Sequence, residues 1–249
     1  GFEESITDVE DIFAYPEINT VFITTHHDTH ASFVRRALEA DKNVFVEKPL
    51  CLNLNELSEI ESIYNSKVKT RNSRTPLLMV GFNRRFAPHI IKIKSLLSAI
   101  KEPKSFIVTV NAGALPKNHW TQDPKIGGGR IIGEACHFID LLRFLAGNKI
   151  IDHSISRLKT DFGDTATIQL SFSDGSIGTI HYFANGNRKF PKERLDVFCQ
   201  GRILQLDNFR ILHGWGWKDF KKMKLWRQDK GHSNEIQSFV GAVVNEKQS

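Results

Sequence analysis

The first 86 residues alternate two textures of apolar and polar positions. The short runs "NTVFITT" (19–25), "NVFVEK" (43–48) and "PLLMVGFN" (76–83) are almost continuously apolar or β-branched, which predicts strands buried on both faces. Between them the apolar residues recur every three or four positions. "SITDVEDIFAYPEI" sets Val9, Ile12 and Phe13 in one stripe, with Ser5 or Thr7 as a cap and Pro16 as a stop. "THASFVRRALEAD", from Thr29 with Asp28 or Thr29 as N-cap, predicts a second helix. "NLNELSEIESIYNS" (53–66), capped at Asn53 or Asn55, predicts a third. Strands alternating with helices of this length imply parallel βαβ units with helices on both faces of the sheet.

Beyond residue 86 the texture changes. A helix ("APHIIKIKSLLSAI") and a strand ("KSFIVTVNAG") precede a Gly-rich loop that opens a long helix, "GGGRIIGEACHFIDLLRFLAG" (127–147). Five strands then follow without intervening helices: "IDHSISRLK", "DTATIQLSFSDGS", "IGTIHYFANG", "ERLDVFCQG" and "RILQLDN". "SDGS" (173–176) and "NGNR" (185–188) act as hairpin signals. A last helix, "HSNEIQSFVGAVVNE", ends at Glu246. The pattern predicts an α/β part, residues 1–86, with a parallel sheet. An α+β part, residues 87–249, follows, with a mainly antiparallel open sheet carrying helices on one face.

With 249 residues, 40% hydrophobic, there is ample material for two cores. No apolar run reaches the length of a membrane span, and "GFEESITDVEDIF" lacks the basic start and apolar stretch of an export signal. Cys51, Cys136 and Cys199 are scattered and odd in number, which suits reduced thiols and a cytoplasmic location. The net charge of +6 raises nucleic acid as a partner, but the basic residues are dispersed. The exception, "KDFKKMKLWR" (218–227), interleaves them with apolar residues as the solvated face of an edge strand does. Neither nucleic acid nor membrane is therefore expected, whereas an anionic small-molecule ligand would gain steering from the charge.

Candidate chemistry lies where the three parallel strands end, since ligands of open parallel sheets bind beyond the carboxyl ends. Those ends read "TTHHDTH", "EKP" and "GFNRRF". The histidine cluster contains metal-ligating types, but no HxxxH pair falls inside the helix expected from Thr29, so no metal is expected. Lys48 taken alone reads as a rim ion pair worth at most about 1 kcal/mol. Followed by Pro49, it also has the restricted backbone of a lysine that must point at one oxygen. On the long helix, Glu134, His137 and Asp140 recur every third residue, so Glu134 and His137 share a face. Spacing alone favours a core histidine at 137; a proton-transfer imidazole oriented by a carboxylate is the other reading.

Taken in order, these segments resemble the glucose–fructose oxidoreductase / inositol dehydrogenase / MocA (Gfo/Idh/MocA) family of NAD(P)-dependent oxidoreductases. "INTVFITTHHDTHASFVRRALEADKNVFVEKPL" is similar to that family's strand, loop, helix and EKP-ended strand. "VGFNRRFAPH", "GGGRIIGEACHFIDLLRFLAG" and "LSFSDGSIGTIHYFANG" resemble its next strand end, its GGG-helix-HxxD segment and its substrate-domain hairpin. The resemblance implies a Rossmann domain, here partial, followed by an α+β domain whose open sheet forms homo-oligomer contacts. It implies hydride transfer between NAD or NADP and a carbinol of a sugar, sugar nucleotide or cyclic polyol. Lys48 and His137 match the catalytic lysine and histidine. Thr25, His27, His30, Glu47, Asn83 and Arg84 match cofactor-side positions, and His119, Trp120, Arg130 and Glu134 fall where substrate contacts are placed.

Three departures qualify the match. His26 stands where the family's loop has proline, and Gly133 stands where it often has aspartate, with Glu134 one residue later. No GxGxxG occurs, so the chain is expected to lack the family's pyrophosphate segment and the end of its final helix. A non-catalytic, nucleotide-sensing protein of the same fold is the alternative; the presence of both Lys48 and His137 favours the enzyme.

Overall fold

The computed structural model describes residues 4–69, 75–160 and 163–245. Helix α1 (Val9–Ala14) is capped by the Asp8 side chain. Three strands, β1 (Thr20–Ile23), β2 (Asn43–Glu47) and β3 (Leu78–Gly81), form a parallel sheet in the order β1-β2-β3. Helices α2 (His27–Glu39) and α3 (Leu54–Lys69) are the crossovers. Alternation along β2 sends Val44 and Val46 to one side, where they pack with Ile23, Val34, Leu38 and Ile60. Phe45 points to the other side, onto Phe239 and Ala242. Those two belong to the last helix, α6 (His232–Val244), so the second face of the small sheet is covered from the far end of the chain.

Helix α2 begins two residues earlier than its cap signals imply. His26, in extended conformation, is the N-cap, and Asp28 and Thr29 lie in the first turn. The Thr29 hydroxyl donates to His26 O (2.8 Å), and the Asp28 N–H donates to Ile126 O (3.1 Å), a partner that local sequence does not reveal.

Helix α4 (Pro88–Leu97), strand β4 (Ser105–Asn111) and helix α5 (Cys136–Ala146) lead into β5 (Ile150–Arg157), β6 (Ala166–Phe172), β7 (Ile177–Phe183), β8 (Glu193–Cys199), β9 (Arg202–Asp207), β10 (Ile211–Trp215) and β11 (Lys222–Lys224). The eight strands from β4 onward form one sheet, ordered β11-β10-β9-β8-β4-β7-β6-β5. Only the β4–β7 pair is parallel. Phe106, Val108, Val110, Val197, Ile180 and Tyr182 face inward against α4 and α5, forming the larger core. On the opposite face Ile107, Ile177, Phe198 and Trp215 are exposed among the described residues.

"SDGS" turns β6 into β7, with Phe172 N–H donating to Ser176 O (2.9 Å) and Gly175 at φ +83°. "NGNR" does not make a hairpin. β7 and β8 lie on opposite sides of β4, so this stretch starts a connection across the end of β4, held by Asn111 Nδ2 on Asn187 O (2.7 Å). The basic run around 222 is the sheet's edge strand β11, as its interleaved pattern implies. Strand β10 leaves no clear periodic signal because Gly214 interrupts it. A Cβ there would sit 2.7 Å from the Phe220 ring, so packing demands the glycine. The final helix is described as far as Val244, and Glu246 lies outside the described residues.

Candidate active site

Because β1, β2 and β3 are parallel, their carboxyl ends open on one rim. Lys48 follows the last residue of β2, with a cis peptide to Pro49. Its ammonium donates to Gly133 O at 2.7 Å. Gly133 lies in a π-helical turn, Ile131–Ala135, that runs directly into α5 and His137. The lysine therefore reaches from the small sheet to the helix that carries the histidine.

His137 is 6% exposed and its Nδ1 has no hydrogen-bond partner. Its ring meets Phe82 edge-on at 6.0 Å. Burial, reinforced by the nearby charges of Arg84, Lys48, His232 and Lys230, holds the imidazole well below its ordinary pKa. The result is a neutral ring in the field of the Lys48 ammonium, with Nδ1 sealed from solvent.

The expected carboxylate partner for His137 is not there. Glu134 instead bonds Lys192 Nζ (2.8 Å), Arg130 (3.1 Å) and the Tyr182 hydroxyl. Burial alone would raise its carboxyl, but Lys192, Tyr182 and Arg130 bring it down to about 2. Asp140 is taken by the Arg85 guanidinium. The π turn explains the parting of Glu134 from His137: i→i+5 bonding breaks the three-and-four spacing that would align them.

The residues expected on the cofactor side divide into two groups. His27 is buried, and its Nδ1 bonds Gly127 O (2.9 Å). A Cβ on Gly133 would come 2.9 Å from His27 Cε1, so the ring occupies the room a side chain at 133 would need. Thr25 presents an exposed hydroxyl bonded to Thr29. The half-buried Glu47 carboxylate lies against Gly81, where a Cβ would be 3.1 Å from Oε2. His30 acts as a strut, its ring nitrogens on Pro49 O (2.8 Å) and Thr25 O (3.1 Å), tying the ends of β1 and β2. Asn83 and Arg84 are both engaged by residues of the second part of the chain. Asn83 Nδ2 donates to Lys230 O (2.8 Å), and Arg84 makes a two-pronged pair with buried Glu193, both contacts 2.9 Å, which Lys230 joins.

Trp120 stacks on His26 (4.6 Å, 14°) and meets His27 edge-on at 4.7 Å. His119 caps the turn before Thr121. Arg130 grips the start of this loop through Gly113 O (2.6 Å) and Ala112 O (3.3 Å). The structure thus brings Lys48, His137, Glu47, His27 and Trp120 to one region, with Arg130 and Glu134 as its supports. Among the described residues no group of three or more His, Cys, Asp or Glu is arranged to hold a metal ion.

Sequence reading missed Glu193 and Glu235. A signal existed for both. Glu193 falls on the inward phase of β8 with Leu195 and Val197, and Glu235 lies one turn before Phe239 on the buried stripe of α6.

Residues 1–71 match the model of the "Oxidoreductase family, NAD-binding Rossmann fold", and residues 92–205 match the "GFO/IDH/MocA C-terminal domain". The chain is 26% identical over 223 residues to myo-inositol 2-dehydrogenase of Thermotoga maritima, covering 84% of this chain and 63% of that protein. It is 31% identical over 193 residues to scyllo-inositol 2-dehydrogenase (NAD(+)) of Bacillus subtilis strain 168, covering 72% and 53%. The structure of levoglucosan dehydrogenase in complex with NADH and levoglucosan shares the fold, with a TM-score of 0.85 at 22% identity, over 100% of this chain and 76% of that one. The chain spans less than two thirds of the length of these two curated relatives. With both halves matching models of one family and the two-sheet fold shared, the chain belongs to the Gfo/Idh/MocA oxidoreductase family.

Proposed function

We propose that the chain carries the catalytic rim of an oxidoreductase that moves hydride between a nicotinamide cofactor, NAD or NADP, and a carbinol carbon. The substrate class is a sugar, sugar nucleotide or cyclic polyol, in keeping with relatives named as inositol dehydrogenases. Residues 1–86 serve the nucleotide and 87–249 the substrate. The observation that carries this reading is the meeting of Lys48 with the His137 helix, through the 2.7 Å bond to Gly133 O.

A bound nicotinamide supplies the hydride acceptor in oxidation and the donor in reduction. The rim fits such a group: the Glu47 carboxylate and Thr25 hydroxyl end neighbouring strands, and Glu47 packs into the room that side-chain-free Gly81 leaves opposite it. Lys48 spends one N–H on Gly133 O and keeps two for the substrate oxygen, favouring negative charge there. His137, held neutral, takes the hydroxyl proton as the carbonyl forms; its Nδ1 is buried, so Nε2 is the ring nitrogen that meets the substrate. The burial and cations that keep it neutral make it release that proton again. Trp120 and His119 frame the substrate side, with Arg130 and Glu134 holding their loop in place.

The open face of the large sheet exposes Ile107, Ile177, Phe198 and Trp215, which supports assembly of copies through that face. Three free thiols suit the cytoplasm. The test is turnover of polyols, sugars and sugar nucleotides with NAD and NADP, by the parent and by Lys48→Ala. The variant should lose about 10²- to 10⁴-fold in kcat while keeping nicotinamide binding. Parental turnover by Lys48→Ala would overturn the assignment.

A further inference from the structure

Glu235 is 1% exposed, and its Oε1 has no hydrogen-bond partner. Its place follows from how α6 begins. Gly231, at φ +90°, sits so close to the turn at Asn83–Phe86 that a Cβ would lie 2.4 Å from Asn83 O and 2.5 Å from Ala87 N. Asn83 Nδ2 bonds Lys230 O (2.8 Å) and Asn234 Nδ2 bonds Phe86 O (3.0 Å), clamping the same junction. Phe239, one turn after Glu235, packs on Phe45 (ring centroids 5.7 Å), and Phe45 lies two residues before Glu47 on the same side of β2, so the first turn of α6 lies at the ends of β2 and β3.

Three charged groups act on the Glu235 carboxyl there: Glu47 from the end of β2, Asp140 from α5, and Arg85 from the turn after β3. Arg85 already holds both oxygens of Asp140, so Glu235 has no cation of its own. Burial first, then the Glu47 and Asp140 charges, push the carboxyl up to about 8, so it is protonated at neutral pH and is a donor. Of the two neighbouring carboxylates, Asp140 is occupied by Arg85. Glu47 makes no ion pair among the described residues, and it lies against Gly81, the residue opposite it on β3.

We infer that Glu235 is a positioning residue whose carboxyl shares its proton with the Glu47 carboxylate, fixing the strand end that carries Lys48. The inference deepens the proposed function, because Glu47 and Lys48 are the cofactor-side acid and the catalytic lysine of that reading. A charged Glu235 would repel Glu47 and loosen both.

Thermal midpoints across pH 4.5–9 for the parent, Glu235→Gln and Glu47→Gln, all without cofactor, test it. The folded-state pKa is raised, so the folded protein binds the extra proton. The Glu235 contribution to stability therefore falls as pH rises from 4.5 to about 8 and is level above that. The buried histidines with lowered pKa act in the opposite sense in every variant, so the parent's midpoint minus that of Glu235→Gln, which keeps a donor, should show this decline. Glu47→Gln should keep the decline but end it at lower pH, because one repelling charge is gone. A Glu235→Gln profile that tracks the parent, or a Glu47→Gln decline ending where the parent's does, overturns the inference. These profiles need no turnover, so they decide the matter even if the proposed reaction fails. With turnover in hand, kcat of the parent should drop above about pH 8, and that of Glu235→Gln should not. A shared drop overturns the link to Lys48.

Discussion

Replacing Gly133 with alanine puts a methyl group 2.9 Å from His27 Cε1 and 3.2 Å from both His27 Nδ1 and Gly127 O. Two opposing effects then compete. Gly133 needs no positive φ, so alanine is compatible with the backbone and should stabilise by about 0.4–1 kcal/mol through lost freedom of the unfolded chain. Against this, overpacking a well-filled interior costs about 1–3 kcal/mol. Relief is hindered because His27 is pinned by its bond to Gly127 O (2.9 Å) and faces Trp120 at 4.7 Å. The clash wins, giving a net loss of about 1–2 kcal/mol, or roughly 2–8 °C in Tm for a chain of this size. In a His27→Ala background the main obstacle is gone, the Gly127 O contact at 3.2 Å remains, and Gly133→Ala should cost far less. The assay is a double-mutant cycle by urea and thermal unfolding, with an expected coupling of about 1–3 kcal/mol. Additive effects, within about 0.5 kcal/mol, would refute the explanation of why glycine stands where the family often has aspartate.

Other outcomes follow from the buried charges. Arg84→Met leaves Glu193, 3% exposed, with Lys230 as its remaining cation, and should cost about 3–5 kcal/mol in urea unfolding. Substituting Glu193→Gln together with Arg84→Met should recover part of that loss. The Glu134 carboxyl is lowered from 4.5 to about 2, so its contribution is complete above pH 4.5 and is lost as pH falls toward 2. Glu134→Gln should lower stability at pH 7 by about 3 kcal/mol at most and flatten the acid limb, measured as Tm between pH 2 and 6.

The sequence alone determined the strands and helices with strong periodicity, the change of texture near residue 86, and the convergence of three polar strand ends. Hydrophobic alternation and helix stripes are local, and parallel strands must end on one rim. Spacing alone favoured a rim ion pair at Lys48 and a core histidine at 137; the resemblance of the EKP run and the Gly-rich helix segment to one family singled the two residues out. Partners distant in sequence were decided only in three dimensions. Lys48 finds Gly133, Asp28 finds Ile126, and Arg84 finds Glu193 through long-range packing that local propensity does not encode. The π turn separates Glu134 from His137, against the regular spacing that joins them on paper. The docking of α6 on Phe45 closes the small sheet and carries Glu235 to the strand end, a placement set by the fit of Gly231 against the turn after β3.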